Sequence, residues 1–192
     1  MSYSFRKFRP DTDVLKPFDC GIADLNGFLL ETSGEIPNAT AYGKQLLATT
    51  YVVEDDDTHD ILAYFSLLHD KVEREFINPT NWNRVSRKIP NSKRRSSYPA
   101  LKIGRLAVNR NYRAHGLGRH ILHFIEAMYL MNKQAGCRFI TVDAIPSAVE
   151  FYKKCNFFIL KEPDITPKEA YDMEQTTLMC FDLRSFEISI LR

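Results

Sequence analysis

Long apolar runs are missing from this sequence, and its first residues, MSYSFRKFRP, lack the apolar centre of a secretory signal. We therefore expect neither a membrane span nor an export signal. Four cysteines are present, and none shows the CxxC spacing that zinc and redox sites use. Cys20, Cys137, Cys155 and Cys180 are predicted to be reduced, mostly packed side chains of a cytoplasmic protein.

Acidic residues are missing from the whole interval between Glu75 and Glu126. That interval contains 11 of the 26 lysines and arginines, so the rest of the chain carries 15 basic residues against 24 acidic ones. A basic segment inside an otherwise acidic protein predicts a polyanionic ligand, either a phosphate-bearing small molecule or a nucleic acid.

The spacing of apolar residues predicts an α/β (α+β) protein. The predicted strands are residues 4–9, 45–53, 61–68, 103–108, 137–144, 157–161 and 176–183. The predicted helices are residues 22–29, residues 119–135 and a segment opened by Pro146. This order predicts a mixed, mostly antiparallel sheet with helices on both faces. At 192 residues and 44% hydrophobic content, the chain fits one domain, 1–192.

Residues 71–99 are the least regular stretch and are predicted to be a long basic insertion, with a helical part around Trp82 to Lys88. Prolines interrupt it, and no strand or helix pattern accounts for the whole. Basic side chains beside Trp82 and Tyr98 could grip phosphates and stack bases, so residues 84–98 are a candidate nucleic-acid surface. A solvated surface loop is the alternative interpretation.

A strand, a glycine-bearing turn and a helix follow one another in residues 101–134. The turn consists of Arg113, Ala114, His115, Gly116, Leu117, Gly118 and Arg119. The first turn of a helix has N–H groups without partners inside the helix, and the helix dipole adds partial positive charge there. Gly116 and Gly118 let a phosphate approach the backbone, while Arg113 and Arg119 supply formal charge. The stretch predicts a seat for a diphosphate.

The same turn matches the R/Q-x-x-G-x-G/A pyrophosphate loop of the GNAT superfamily, the acetyl-CoA-dependent N-acetyltransferases. RLAV at residues 105–108 precedes it, as the superfamily's central strand does. Ala148, Phe151 and Tyr152, followed by Asn156 and Phe157, resemble the superfamily's later A-x-x-F-Y-x-x-x-G-F segment. The early stretch FDCGIADLNGFL resembles the GNAT branch that includes toxin-type acetyltransferases acting on aminoacyl-tRNA.

The resemblance implies the GNAT fold, in which two parallel strands splay apart and hold acetyl-CoA between them. It implies that Leu106, Ala107 and Val108 bind the pantetheine arm and that the 113–119 turn binds the pyrophosphate. It also implies that Tyr152 is the general acid for the departing sulfur, a role for which a phenol with a pKa near ~10 is suited. A core aromatic beside Phe151 is the alternative interpretation of Tyr152.

No general base is evident, because the glutamate that many relatives have near the central strand is absent. Asp143 and Glu73 are the nearest carboxylate candidates. An α-amine with a pKa near ~8 hardly needs a base, whereas a lysine ε-amine near ~10.4 does, so the acceptor is expected to be aminoacyl-tRNA or a peptide N-terminus. Ile145 stands about where the family has a cofactor-holding asparagine.

The predicted activity is direct transfer of an acetyl group from acetyl-CoA to a primary amine. Two alternatives stay open: toxin-like acetylation of the aminoacyl group of charged tRNA, and a non-catalytic acyl-CoA-binding module. The acceptor could be a small molecule, a peptide or aminoacyl-tRNA, and a homodimer is left open. His115, His120 and His123 lack carboxylate or cysteine company in the sequence, so no metal site is predicted.

Overall fold

The computed structural model describes residues 2–13, 16–30, 39–91, 94–131, 135–163 and 175–185. The strands are β1 (Tyr3–Lys7), β2 (Thr49–Asp55), β3 (Ile61–Glu73), β4 (Ser97–Val108), β5 (Phe139–Ala144), β6 (Phe158–Lys161) and β7 (Thr177–Asp182). The helices are α1 (Pro10–Asp13), α2 (Ala23–Leu29), α3 (Ala39–Lys44), α4 (Pro79–Ser86), α5 (Leu117–Met131) and α6 (Val149–Lys154). Within the described residues, seven strands form one sheet in the order β1-β2-β3-β4-β5-β7-β6. Strand pairing is mostly antiparallel, and β4 and β5 are parallel, which confirms the predicted α/β class and mixed sheet.

The chain divides into two compact units by its internal contacts. Unit 1 comprises Met1–Leu68 with Ile103–Phe124, and unit 2 comprises His69–Lys102 with Ile125–Arg192. Strands β3 and β4 and helix α5 each contribute residues to both units. The prediction of a single domain over 1–192, with 71–99 as an insertion, stays a prediction.

Unit 1 has helices on both faces of its strands. On one face, Phe28 of α2 packs with Tyr64 of β3 and Ala107 of β4 in a buried apolar cluster. On the other face, Phe124 of α5 stacks on Phe5 of β1, with ring centroids 4.0 Å apart. Side chains alternate between the faces of a strand, so each strand here supplies apolar groups to both layers.

In unit 2, helix α4 covers the strands through aromatic packing. Trp82 stacks on Tyr98 with ring centroids 5.2 Å apart, and both belong to a cluster with Phe139 and Cys180. Trp82 and Tyr98 are only 6% and 3% exposed. The prediction that they stack nucleic-acid bases is therefore wrong, because both rings are buried in the core of unit 2, away from solvent.

Much of the stretch predicted to be irregular, residues 71–99, is regular. Strand β3 continues to Glu73, α4 spans Pro79–Ser86, and β4 already begins at Ser97. Pro79 lies in the first turn of α4, where no N–H is needed, and Asn78 caps the helix by accepting from the Asn81 N–H at 2.8 Å. The predicted helix is thus confirmed, but it begins earlier than Trp82.

Several element bounds differ from the predicted ones. Helix α3 lies between the predicted helix 22–29 and the predicted strand 45–53, and β2 begins only at Thr49. Helix α5 begins at Leu117, two residues before its predicted start at residue 119. Asn156 follows α6 with a φ of 65°, a left-handed conformation that asparagine tolerates. Residues 31–38 and 164–174 lie outside the described residues. No helix in the described ranges has the length and hydropathy that crossing a membrane requires.

Candidate active site

The turn between β4 and α5 is a sharp corner built on left-handed residues. Ala114 and Gly116 have φ angles of 66° and 78°. The Gly116 carbonyl accepts hydrogen bonds from the N–H groups of Arg119 and His120, at 3.0 and 3.1 Å, and so starts α5. A Cβ built on Gly116 would meet nothing within 4 Å, so the space at this corner is open. The positive φ favours glycine at this position.

The corner has the features that attract an anion. Helix α5 is 15 residues long, and the N–H groups of its first turn cannot all find a carbonyl within the helix. These N–H groups and the helix dipole attract an anion. Ala114, Gly116 and Arg119 are exposed and Gly118 is half-buried, so the backbone and the Arg119 charge are accessible. Leu117 is buried and anchors the corner.

The side chain of Arg113 is engaged elsewhere in unit 1. Its guanidinium donates a hydrogen bond to the backbone carbonyl of Cys20, a residue 93 positions away in the chain. Arg110 binds the same stretch, because its N–H donates to the Asp19 carbonyl at 2.9 Å and its guanidinium pairs with the Asp19 carboxylate at 2.8 Å. The prediction that Arg113 supplies charge to a diphosphate stays untested, and the structure shows that its guanidinium also holds the segment around Cys20.

The predicted pantetheine-binding residues, Leu106 to Val108, are the last three of β4. Ala107 is buried in the cluster under α2, whereas Leu106 and Val108 are half-buried. The Asn109 N–H donates to the Leu62 carbonyl of β3 at 2.9 Å, so pairing with β3 continues past the end of β4. This end of the strand is therefore firmly held, and its role toward pantetheine stays a prediction.

Arg105 precedes these residues on β4 and is held by α2. Its guanidinium carbon lies 4.2 Å from the centre of the Phe28 ring, and its Nη2 lies 3.6 Å from the Asp24 carboxylate. The Arg105 Nε is buried and has no hydrogen-bond partner among the described residues. Arg105 thus lies in the strand segment from which the glutamate of many relatives is missing, and its charge is paired with Asp24.

Tyr152 lies on α6 in unit 2, between two aromatic rings. Phe151 and Phe157 contact it edge-on, with ring centroids 5.1 and 5.2 Å away, and the Tyr152 carbonyl accepts from the Phe157 N–H at 3.0 Å. The side chain is buried, and burial raises the pKa of the phenol above its ordinary value. The hydroxyl is therefore protonated at neutral pH, as a proton donor must be.

The carboxylates considered as bases, Asp143 and Glu73, are both ion-paired in unit 2. Asp143 lies 2.5 Å from the Lys102 Nζ, and Glu73 lies 2.8 Å from the Lys71 Nζ. Each of the two carboxylates is therefore engaged by a lysine of its own unit. Asp70, which sequence reasoning missed because nothing marks it within β3, accepts a hydrogen bond from the Thr141 hydroxyl.

The histidines near the corner have protein partners or open surroundings. His120 shares a hydrogen bond of 2.6 Å with the Tyr3 hydroxyl, and His115 is exposed. Among the residues that the structure describes, no group of three or more His, Cys, Asp or Glu side chains is arranged to hold a metal ion. The four cysteines are free thiols, and burial raises the pKa of Cys20, so this thiol is a poor nucleophile at neutral pH.

A comparison with family models agrees with this geometry, in which a glycine corner starts a helix directly after a strand that ends in RLAV. Residues 47–158 match the model of the acetyltransferase (GNAT) domain. The chain belongs to the GNAT acetyltransferase family. It is therefore an acyltransferase, and its cofactor is acetyl-CoA, as is general for GNAT domains. A search of curated protein sequences finds no match.

Solved GNAT structures resemble the fold over nearly its whole length. A tyrosine-to-phenylalanine mutant of KacT superposes with a TM-score of 0.73 at 21% identity, covering 97% of this chain and 98% of that one. AtaT complexed with acetyl-methionyl-tRNAfMet gives a TM-score of 0.71 at 20% identity, covering 98% and 99%. AtaTR bound with acetyl-CoA gives 0.62 at 20% identity, covering 98% of both chains. At these identities the likeness establishes the GNAT fold.

Proposed function

We propose that this GNAT enzyme acetylates the α-amino group of the amino acid carried by a charged tRNA. This is the more specific of the activities that the sequence leaves open, and it takes precedence over a general primary-amine acetylation. The fold is shared along almost the full chain with AtaT, whose structure contains acetyl-methionyl-tRNAfMet. That likeness supports the proposal, and a charged surface on this chain carries it.

The charged surface lies at the end of α4 and after it, in unit 2. Arg87, Lys88, Arg94 and Arg95 are all exposed, and none has an acidic partner among the described residues. We call these four residues the basic surface. Other basic residues of the acid-free interval are engaged, as Lys102 is with Asp143. Exposed, unpaired cations are what a phosphate backbone attracts, with release of its counterions.

The residues of the site have separate proposed roles. Acetyl-CoA supplies the thioester that donates the acetyl group. The backbone of the Arg113–Arg119 turn, with the Arg119 charge, holds the pyrophosphate, and Leu106 to Val108 hold the pantetheine arm. Tyr152 donates the proton of its hydroxyl to the departing sulfur. The Tyr152 hydroxyl is protonated at neutral pH, as this role requires, although burial raises its pKa and so makes it a weaker acid toward the sulfur.

The state of the carboxylates favours an acceptor that needs no strong base. Asp143 and Glu73, the carboxylates considered as bases, both lie in ion pairs with lysines. An α-amine with a pKa near ~8 is partly neutral at physiological pH, whereas a lysine ε-amine near ~10.4 is almost fully protonated. The aminoacyl group of a charged tRNA presents such an α-amine. Charged tRNA and acetyl-CoA are both abundant in the cytoplasm, where we place the protein.

The proposal is tested by an acceptor screen with radiolabelled acetyl-CoA. The purified protein is incubated with total charged tRNA, the same tRNA deacylated, lysine-containing peptides and polyamines. We expect label in the charged tRNA alone, recovered as N-acetylated amino acid after mild alkaline hydrolysis. Label in peptides or polyamines would overturn the tRNA acceptor and leave a general amine acetyltransferase. Binding of acetyl-CoA without thioester consumption under any condition would leave a non-catalytic binding module.

A further inference from the structure

The stretch FDCGIADLNGFL forms a compact turn that no step of the proposed reaction uses. The carboxylate of Asp19 accepts from the Gly21 N–H at 2.7 Å and from the Asn26 Nδ2 at 2.9 Å. The Asn26 Oδ1 in return accepts from the Cys20 N–H at 2.9 Å. Gly21 has a φ of 73°, a left-handed conformation that glycine adopts without strain. Asp19, Cys20 and Gly21 are called the DCG turn below.

The DCG turn also binds the cofactor corner. Its two carbonyls, of Asp19 and Cys20, accept from the Arg110 N–H and the Arg113 guanidinium, and the Asp19 carboxylate pairs with Arg110. The hydrogen bond from Asn26 and that from Gly21 hold the pKa of Asp19 below its usual range, so the carboxylate is charged at neutral pH. The turn therefore contacts the corner on one side and α2 on the other.

Helix α2 depends on this turn for its start. It is seven residues long, and its N-cap residue, Ile22, provides no side-chain hydrogen bond. Helices this short are unstable alone, and an uncapped start makes them weaker. The Asn26 side chain ties the helix back to the turn instead. Helix α2 in turn carries Asp24 and Phe28, the two residues that hold Arg105 on β4.

We propose that the DCG turn couples the cofactor corner to α2, with Asp19 and Asn26 as positioning residues. Seating of the pyrophosphate fixes the corner, the corner fixes the turn through Arg110 and Arg113, and the turn fixes α2 and with it Arg105. Acetyl-CoA therefore orders the α2 side before the amine acceptor binds. This coupling rests on the proposed function, because it requires coenzyme A at the corner.

The experiment combines calorimetry with hydrogen–deuterium exchange on the full chain, using coenzyme A as the probe. Coenzyme A is expected to bind and to slow amide exchange in α2 by roughly fivefold or more, the coupling of about 1 kcal/mol that a typical allosteric link supplies. In Asn26→Ala the slowing disappears, while the coenzyme A Kd stays within about fivefold of the wild-type value because coupling is reciprocal. The control is Asn81→Ala, which removes a like hydrogen bond, from Asn81 Nδ2 to the Leu160 carbonyl at 2.8 Å, in unit 2.

Exchanging the side chains at positions 19 and 26 controls for misfolding of the single variants. Asn26→Asp places a second carboxylate against Asp19 and should abolish the slowing. The double variant Asp19→Asn/Asn26→Asp restores one donor and one acceptor between the two side chains and should recover part of the slowing, since the ion pair of Asp19 with Arg110 is lost. With charged tRNA as substrate, Asn26→Ala should raise the acceptor KM by roughly 5–10-fold with kcat nearly unchanged, the loss expected when a coupling of about 1 kcal/mol is removed.

The outcomes separate the coupling from the activity. Binding of coenzyme A with unchanged exchange in α2 overturns the coupling and leaves the acetyltransferase intact. Slowed exchange in α2 of Asn26→Ala, equal to the wild type, overturns the roles of Asp19 and Asn26. A charged tRNA that is not acetylated, with exchange in α2 still slowed by coenzyme A, overturns the acceptor assignment and leaves the coupling. Absence of any binding heat for coenzyme A overturns both.

Discussion

Glu126 is a carboxylate buried on α5, 2% exposed, and burial raises its pKa to about 7. In the unfolded chain its pKa is the ordinary 4.5. Between pH 4.5 and pH 7, Glu126 is ionised in the unfolded chain but stays protonated in the folded one, so the free energy of unfolding falls as the pH rises. Glu126→Gln removes this penalty, which amounts to roughly 3 kcal/mol above pH 7. We expect its Tm to exceed that of the wild type by several degrees at pH 8 and by far less at pH 5.

The matched control for Glu126→Gln is Glu75→Gln, because Glu75 is exposed and the substitution should leave the Tm almost unchanged at both pH values. Thermal unfolding followed by circular dichroism gives both measurements. Equal gains for Glu126→Gln at pH 5 and pH 8 would mean that the folded chain holds this group ionised.

Tyr152 is the residue on which the chemical step is proposed to depend. Tyr152→Phe removes the proton donor and keeps the ring that packs against Phe151 and Phe157. We expect kcat to fall roughly 10²-fold, the lower range for loss of a general acid, with acetyl-CoA affinity nearly unchanged. Steady-state kinetics and calorimetry measure the two quantities. An unchanged kcat would remove Tyr152 from the mechanism.

Tyr98→Phe is the control for that substitution. The Tyr98 hydroxyl is buried in unit 2 and has no hydrogen-bond partner among the described residues. An unsatisfied buried hydroxyl costs about 1–3 kcal/mol, so its removal should stabilise the protein and leave kcat alone. A fall in kcat here would show that any loss of a tyrosine hydroxyl disturbs the enzyme.

Among the elements, β1, α1 and β2 are joined by a charged network. The Arg6 guanidinium binds the fully buried Asp13 with both amino groups, at 2.7 and 2.8 Å, and also contacts Glu54 of β2. Lys16 adds a second cation 2.8 Å from Glu54. The hydrogen bond from Arg6 lowers the pKa of Glu54 to about 2. Burial alone would raise the pKa of Asp13, but this pKa is also lowered, because Arg6 and the Arg9 N–H donate hydrogen bonds to the carboxylate.

Asp13→Ala should therefore destabilise the chain by about 3 kcal/mol, since it leaves Arg6 partly buried without its main partner. Asp11→Ala, on the exposed side of the same helix, is the control and should cost little. Both lowered pKa values stabilise the folded state above about pH 4.5, and this contribution is lost as the pH falls toward 2. Urea unfolding at pH 7 and pH 3 should show a smaller difference between Asp13→Ala and wild type at pH 3.

Strands and helices with a clear apolar period, such as β3 and α5, could be predicted because one face of each must be buried. The stretch around α4 could not, since its prolines predict interruption and yet Pro79 begins a helix. Pro99 lies within β4, where its carbonyl accepts from the Arg138 N–H at 3.1 Å. Proline removes a donor but not an acceptor, and sequence pattern cannot tell which of the two a position needs.

The glycine corner could be predicted because its features are local in the sequence: a bare backbone, a helix start and nearby charge. The bond from Arg113 to Cys20 could not, since it joins segments that only folding brings together. Composition led to a wrong prediction for Trp82 and Tyr98, because aromatic residues beside arginines occur both in protein cores and on nucleic-acid-binding surfaces. In the structure, both side chains belong to the buried core of unit 2.

For the whole molecule, the acid-free interval separates into paired and unpaired charges. Lys102, Arg105 and Arg110 have the acidic partners Asp143, Asp24 and Asp19. The basic surface of Arg87, Lys88, Arg94 and Arg95 has none among the described residues. Arg94→Ser/Arg95→Ser should weaken charged-tRNA binding and reduce the slope of log K against log salt by roughly 1–2, the value for one or two phosphate contacts.

The control for this pair is Lys7→Ser/Lys44→Ser, which removes equal charge from exposed positions of unit 1. Binding is measured by fluorescence anisotropy of labelled tRNA over a series of salt concentrations. An equal loss of slope in both double variants would indicate that net charge, and not the basic surface, governs the association.

Trp82, the chain's single tryptophan, lies on α4 in unit 2, where it stacks on Tyr98 and is shielded from water. Its emission thus reports on the folding of unit 2 without any added label. The aromatic stack of Phe5 and Phe124 in unit 1 has no such chromophore. If tryptophan emission and far-UV ellipticity change at the same denaturant concentration, the whole chain unfolds in one cooperative transition. If the two transitions occur at different denaturant concentrations, the two units unfold one after the other.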